Sequence, residues 1–383
     1  MKKTLSLILV LLMITPVFGA YASEAPAAET AAPAAADEVP AETPVPAETP
    51  SPTPTPTAEP TPSPTPVPTP TPTVEPLPPF PESPDDVHVR EEDGGEFRTL
   101  PLDIEQGGTR LVNFKYTADL SVYEDPSIRV EYHRVNGGKT WGVVYYFADI
   151  IIREPTQMRT AFATGNRTFK PNYKKIVRGI STKLNAVLAI NGDFFAGFSG
   201  NAFVLRQGDV YRDTCEPNFD VLLVDEDGDF HVITADQDLA AIDKTTVDGK
   251  KVINAFQFGP ALVIDGEPVE DETLVDRAHS PRDAQPDMAN QRMGIIQIDR
   301  LHYMVLTCAH YGLTLPKFRD LAMYVSNYQA KTVYTLDGGN SAQLIFLGRK
   351  KNNTDTNPDT AKDKEGERPV TDIIYFASAW ATR

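Results

Sequence analysis

Two short stretches of this chain combine acidic, amide and hydroxyl side chains with glycines. The later one is Thr335-Leu336-Asp337-Gly338-Gly339-Asn340-Ser341-Ala342, between the apolar runs 333–336 and 342–347. It places a carboxylate beside unhindered backbone N–H groups. Glycine lets the main chain approach a ligand closely, and successive N–H groups in such a turn make a concavity for an anion. Asp-Gly between hydrophobic runs is also a strong hairpin signal, so alone the stretch reads first as a tight turn. The earlier stretch runs Ala189-Ile190-Asn191-Gly192-Asp193-Phe194-Phe195-Ala196-Gly197, directly after the apolar run 185–188. An amide and a carboxylate then sit at the C-terminal edge of a buried strand, where ligand crevices lie in helix-covered sheets. A turn anchored by Phe194 and Phe195 in the core is the competing reading.

The elements that must position these residues are mostly strands. Runs 111–116, 128–135 and 141–152 are rich in Val, Ile and Tyr with some alternation, and further strand candidates follow at 202–206, 209–212, 219–225, 229–233 and 370–376. Gln207-Gly208 and Asp227-Gly228 read as turns between them. A helix is expected over 170–184, opened by Pro171 with Tyr173, Ile176, Val177, Ile180 and Leu184 at helical spacing, and another over 315–330. The polar stretch 353–368 reads as a loop. Many strands with few helices between them predict an α+β domain, with a mixed, largely antiparallel sheet packed by a few helices. Residues 88–383 are taken as that domain, with 88–140 as a candidate N-terminal β extension.

The N-terminal part predicts export. Met1-Lys2-Lys3 is basic, 5–17 is apolar but short for a membrane span, and Ala20-Tyr21-Ala22 is a cleavage signature. Residues 1–22 read as a signal peptide, and no integral span is expected after its removal. Residues 23–87 form a linker rich in Ala, Pro, Thr and Glu, which buries too little apolar surface to offset ordering entropy. As extended polyproline II at ~3.1 Å per residue it reaches on the order of 200 Å, enough for a tether through a cell wall. The expected location is extracellular and cell-wall associated.

The full chain carries net charge −17, and −19 without Lys2 and Lys3; eleven acidic and no basic residues lie in 23–87, leaving the domain at −8. An acidic domain without Lys/Arg runs argues against nucleic acid or anionic membranes as partners. Any phosphate must then be held by specific local donors. Cys215 and Cys308 are the two cysteines; export permits a disulfide, and two buried free thiols suit a core of this size equally. The six histidines (His88, His133, His231, His279, His302, His310) show no paired ligand spacing, so no metal cofactor is predicted. A Mg²⁺ or Ca²⁺ held by scattered carboxylates would escape such a reading. Oligomeric state is not legible.

Four ordered blocks carry a resemblance: Asn191-Gly192-Asp193-Phe194-Phe195, Gly259-Pro260-Ala261-Leu262-Val263-Ile264-Asp265-Gly266, Arg292-Met293-Gly294-Ile295-Ile296 and Asp337-Gly338-Gly339-Asn340-Ser341. Across residues from about Tyr145 to Phe376 the chain resembles the phosphodiester glycosidase family, whose animal member removes N-acetylglucosamine from the phosphodiester cap on lysosomal-enzyme glycans. Asp193 stands where a glycine is commoner, and Asn340 replaces the third glycine of the last block. Both departures bear on sugar and phosphate contacts rather than on the fold.

The resemblance implies a carbohydrate or glycopolymer substrate and an identifiable division of labour. A sugar 1-phosphodiester has a weakly basic leaving group, so cleavage depends most on stabilising an oxocarbenium-like ring. Asp337 is the first choice for the carboxylate near C1, with Asp193 second. Arg292 is expected to grip the phosphate with a bidentate fork, helped by the N–H groups of Gly338 and Gly339. Asn191, with Gly192, Asn340 and Ser341, is expected to line the sugar site. His279 and Arg282 lie on a Pro-interrupted loop and are not assigned a role. Three classes follow: an exported sugar-phosphodiester hydrolase, a teichoic-acid-type phosphodiesterase cutting P–O, or a non-catalytic carbohydrate-binding module. The presence of both Asp337 and Arg292 favours the enzymes over the module.

Overall fold

The computed structural model describes residues 95–102, 115–116, 120–165, 167–197, 200–277, 289–309, 312–352 and 367–382. The signal peptide, the Pro-rich linker, the loop 353–366, His279 and Arg282 lie outside them, as do residues 111–114 of the first expected strand.

Alternating side chains along each strand decide how the strands assemble. In Thr332–Leu336, Tyr334 and Leu336 face one buried cluster while Val333 faces another. Met293–Asp299 divides in the same way, Met293 and Ile295 to one side, Ile296 and Ile298 to the other. A strand buried on both faces belongs in the middle of a layered structure. These two strands pair in a nine-stranded sheet that also contains Ala261–Ile264, His302–Cys308, Val144–Ile152 and Ile128–Asn136. A five-stranded sheet holds Ala186–Asn191 between Asp372–Ala377 and Leu344–Phe346. Its Leu188, Ile190, Ile374 and Phe376 enter the cluster formed by the first sheet, so the two sheets pack face to face.

Helices cover both outer faces. Leu315–Val325 lays Leu315, Phe318, Leu321 and Ala322 on the nine-stranded sheet, and Val177–Ser181 lays Val177 and Ile180 on the five-stranded one. The long helix docks closely because Gly294 beneath it has no side chain; a Cβ there would stand 2.9 Å from the Phe318 ring. Lys250–Phe258, Asp220–Asp225 and Val204–Arg206 belong to a third sheet, whose Leu222, Val224, Phe230 and Phe256 join the shared core.

The expected α+β class with few helices and mainly antiparallel pairing holds, and every described pairing is antiparallel. The single mixed sheet is replaced by several sheets packed on one another. Within the candidate N-terminal β extension, Leu120–Asp125 and Ile128–Asn136 continue the nine-stranded sheet. The helix expected over 170–184 begins only at Val177, because Lys175 exchanges two 2.9 Å backbone bonds with Val370 and is held extended. The helix expected to 330 stops at Val325, beyond which Asn327 and Tyr328 take positive φ of 52° and 59°. Lys250–Phe258, Met158–Phe162 and His302–Cys308 were not foreseen as strands.

Phe318 is fully buried between helix and sheet. We expect Phe318→Ala to cost about 3–5 kcal/mol of stability in urea denaturation, the range for emptying an aromatic core site.

Candidate active site at the meeting of three sheets

Ala186–Asn191 ends at the rim of the five-stranded sheet, and Thr332–Leu336 ends at the facing rim of the nine-stranded sheet. Asn191 closes the seam between them. Its Nδ2 donates to the Asp337 carbonyl at 2.8 Å and to the Gly192 carbonyl at 3.0 Å, and its Oδ1 accepts from the Gln343 amide at 3.3 Å. The side chain is fully buried, so each of these bonds is worth more than it would be in water. The two glycine-flanked blocks, 146 positions apart, are thereby joined through one carboxamide.

Asp193 turns inward. Arg206 Nη2 donates to its Oδ1 at 2.9 Å, and the Gln257 amide donates to its Oδ2 at 3.0 Å. The same guanidinium reaches Asp372 Oδ2, from Nε at 2.9 Å and from Nη2 at 2.8 Å. Arg206 comes from the third sheet, and Asp372 opens the strand beside Asn191. Arg206 also stacks over Phe256, 4.4 Å from the ring centroid, and donates to the carbonyls of Leu205 and Ala255. Burial pushes the Asp372 carboxyl up to about 7; Arg206 opposes this, while the charges of Asp193 and Asp337 add to it. Asp193 is raised too, by burial, against the pull of Arg206 and two backbone donors. Both oxygens of Asp193, the second carboxylate expected near the sugar, thus serve a buried ion cluster.

Two glycines owe their place to close packing. A Cβ on Gly192 would stand 2.3 Å from Asp372 Oδ1, and one on Gly338 would stand 2.5 Å from the Gln291 carbonyl oxygen. The Gly339 N–H donates to that same carbonyl at 2.8 Å, so of the two amides expected at the phosphate this one is engaged with the neighbouring strand. Residues 339–341 form a single 3-10 turn in which Ser341 is buried. Over it lies Arg368, whose N–H donates to the Asn340 carbonyl at 3.0 Å and whose Nη1 donates to Ser341 Oγ at 3.4 Å.

Arg292 immediately precedes Met293, which pairs with Leu336, the residue before Asp337. The two candidate residues thus stand at the same end of adjacent strands. Arg292 Nε donates to the Leu313 carbonyl at 3.2 Å, which fixes the guanidinium plane. Burial lowers its pKa to about 10, which leaves it cationic at neutral pH. Cys308 lies against it, accepting from the Arg292 amide at 3.4 Å; it is a buried free thiol, and Cys215 is likewise unpaired.

The structure gathers Asn191, Gly192, Asp337, Gly338, Gly339, Asn340 and Ser341 at one seam, with Arg292 on the neighbouring strand. Sequence reasoning missed Arg206, Asp372, Gln257, Gln343 and Arg368. Gln343 ties the seam to its surroundings, accepting from the Val177 amide at 3.0 Å and donating to the Arg368 carbonyl at 2.8 Å. The available signal was a polar residue set against apolar neighbours: Arg206 after Val204-Leu205, Gln257 between two phenylalanines, Asp372 before Ile373-Ile374.

A family model described as phosphodiester glycosidase matches residues 184–377, which hold Asn191, Arg206, Arg292, Asp337 and Asp372. The chain belongs to the phosphodiester glycosidase family. Among solved structures it is similar to the zebrafish N-acetylglucosamine-1-phosphodiester alpha-N-acetylglucosaminidase catalytic domain, auto-inhibited by its pro-peptide, with a TM-score of 0.52 and 14% identity over 70% of this chain and 89% of that one. A hypothetical protein from Synechocystis aligns with a TM-score of 0.43 and 13% identity, over 68% of this chain and 64% of its own. No curated protein matches the chain significantly. At 14% identity the likeness to the zebrafish domain speaks for a shared fold, and among the described residues no helix is long and apolar enough to cross a membrane.

The electrostatics give a signed prediction. The Asp372 carboxyl sits above its unfolded value of ~4, so the fold binds that proton more tightly than the unfolded chain does. Its stabilising contribution is complete below that value and is lost as pH rises through about 7. Removing Arg206 leaves two buried carboxylates without their cation. We expect Arg206→Met to cost about 3–5 kcal/mol at pH 8, and less at pH 5.5, where the carboxyls can take protons instead. Urea midpoints at the two pH values check this.

Proposed function

We propose that this protein is an exported glycosidase that hydrolyses a sugar 1-phosphodiester, an amino-sugar one in envelope polymers or glycans, between the anomeric carbon and the bridging oxygen. Membership of the phosphodiester glycosidase family supports the reaction class. The observation that carries the reading is the 2.8 Å bond from Asn191 to the Asp337 carbonyl, which draws two motifs of opposite sheets into one seam. The basic, apolar and A-x-A segments at the start of the sequence support export, and the Pro-rich linker supports a wall-associated location.

In this reading Asp337 takes the proton of the attacking water and faces the positive charge that develops on the ring. Water oxygen bonds to C1, the C1–O bond breaks, and its electron pair leaves with the phosphate oxygen as a phosphomonoester. Arg292 is the cation for that phosphate, desolvated and therefore strong at short range. Arg368, exposed over the Asn340–Ser341 turn, is a second cation on the rim. Ser341 and Asn340 present polar groups beside it. Asp193 supports the site from behind through Arg206 rather than touching the substrate.

Hydrolysis of alkyl sugar-1-phosphodiesters and nucleotide-sugars by the purified protein in ¹⁸O-water tests the bond assignment. Label is expected in the released sugar; label in the phosphate means P–O cleavage and overturns it. Asp337→Asn is expected to lower kcat/KM by about 10²–10⁴-fold with the melting temperature within a few degrees, as for loss of a general base. Arg368→Ala is expected to raise KM while leaving kcat within about threefold, since a rim cation binds ground state and transition state alike.

A further inference from the structure

Asp372 is a buried acid that the reaction above does not use, and its surroundings are unequal. Oδ2 accepts from Arg206 at 2.8 and 2.9 Å, whereas Oδ1 is buried and has no hydrogen-bond partner. Oδ1 lies instead against the bare Cα of Gly192, inside the Asn191–Asp193 block, in space a methyl group would fill. Asp193 is held by Arg206 on Oδ1, by the Gln257 amide on Oδ2 and by the Phe195 amide, so it is the better carboxylate of the two. One guanidinium therefore serves two carboxyl groups in a buried cluster. With Arg206 and Asp193 ionised the cluster balances only if Asp372 carries a proton.

We propose that Asp372 stands behind the site as a neutral carboxylic acid, and that its ionisation closes the site to an anionic substrate. The proposal rests on the functional reading above. Loss of that proton to solvent leaves an uncompensated negative charge in the cluster, next to Asp337 and in the neighbourhood where a phosphodiester must bind. The charged groups facing Asp372 are Arg206 at the end of Val204–Arg206, Asp193 beyond Ala186–Asn191 and Asp337 beyond Thr332–Leu336. From the remaining neighbours, Met158–Phe162 presents Phe162 opposite Asp372, and Lys250–Phe258 presents Gln257 to the same cluster. Neither adds charge. The upward shift of the Asp372 carboxyl puts the change near neutrality. Asp372 is thus a positioning residue, acting on substrate entry through the charge behind Asp337.

The test compares kcat and KM across pH 5–9 on a sugar-1-phosphodiester whose aglycone is uncharged. In the wild type kcat/KM should fall about tenfold per pH unit above neutrality, and the fall should lie in KM rather than kcat. Asp372→Asn, which cannot ionise, should flatten the fall; a variant that folds and keeps it overturns the proposal. Should that variant not fold, Asp193→Asn carries the test, because removing the neighbouring charge moves the fall toward acid pH, and an unmoved fall overturns the proposal. A substrate-free measurement separates the proposal from the functional reading. With aspartate carboxyls labelled by ¹³C, one carbon should titrate near neutrality and vanish from the spectrum of Asp372→Asn. Titration of that carbon in the ordinary acid range overturns the neutral acid whatever the substrate is. Titration near neutrality in a chain that cleaves no sugar phosphodiester supports the neutral acid and removes the functional reading instead.

Discussion

The contact on which the site depends is the guanidinium of Arg206 between Asp193 and Asp372. It ties the third sheet to the five-stranded one in one buried cluster: its own strand, Asp193 of the Asn191 block and the first residue of the last long strand. Attraction of unit charges about 4 Å apart is on the order of 4 kcal/mol at an effective dielectric near 20. Burial of a carboxylate costs several kcal/mol in return. Raising Asp372 from 3.8 to about 7 corresponds to about 4 kcal/mol, so burial outweighs the share of Arg206 that this carboxyl receives. The cluster is consequently a device for placing chain segments, with weak claims as a source of stability. Its geometry holds Gly192 and Asn191 at the seam, and Asn191 in turn holds Asp337.

That order of dependence changes how the glycine blocks are understood. Their residue types suggest a phosphate cradle, yet Gly192 makes room for Asp372 and Gly338 makes room for the Gln291 backbone. Close approach is still the physical reason for glycine, with protein rather than ligand as the approaching partner. The blocks converge on one edge because the packing of two sheets leaves no volume there for a side chain. In the proposed reaction, specific recognition then falls to side chains at the rim, with Arg368 and the Asn340–Ser341 turn among them.

Much of this was legible in the sequence and some was not, for identifiable reasons. Strands such as Ile128–Asn136 and Asp209–Arg212 declared themselves by alternation or by flanking turns. Lys250–Phe258 did not, because Asn254 and Gln257 interrupt its apolar pattern; both are buried and fully engaged, Asn254 with Thr160 and Gln207, Gln257 with Phe203 and Glu216. Periodicity assigns a polar residue to solvent, and only tertiary partners reveal otherwise. The same blindness hid Arg206 and Asp372, which look like strand margins. Pairing across 166 positions leaves no local trace. Asp193 was visible as a carboxylate but not as an inward-facing one, since its direction is set by Arg206 and the Gln257 amide. The helix over 170–184 was shortened by the bridge between Lys175 and Val370, again a long-range contact.

The proposed anionic substrate would meet an acidic domain, so its attraction must be local, and the arrangement of arginines meets that need. At physiological ionic strength the screening length is about 8 Å, so scattered surface carboxylates contribute little inside a cleft. Groups within the cleft are screened far less. Arg292 is buried, aimed by the Leu313 carbonyl and still charged at neutral pH. Its attraction for the phosphate of the proposed substrate is therefore large because it is buried. The cost of drying it was met in folding, before any substrate arrives, which is the preorganisation that electrostatic catalysis requires. By the same reasoning a negative charge inside the cleft acts at full strength. On the proposal that Asp372 is a neutral acid, the net charge of −8 on residues 88–383 matters little to an anionic substrate, whereas the single carboxyl behind Asp337 decides whether it is admitted.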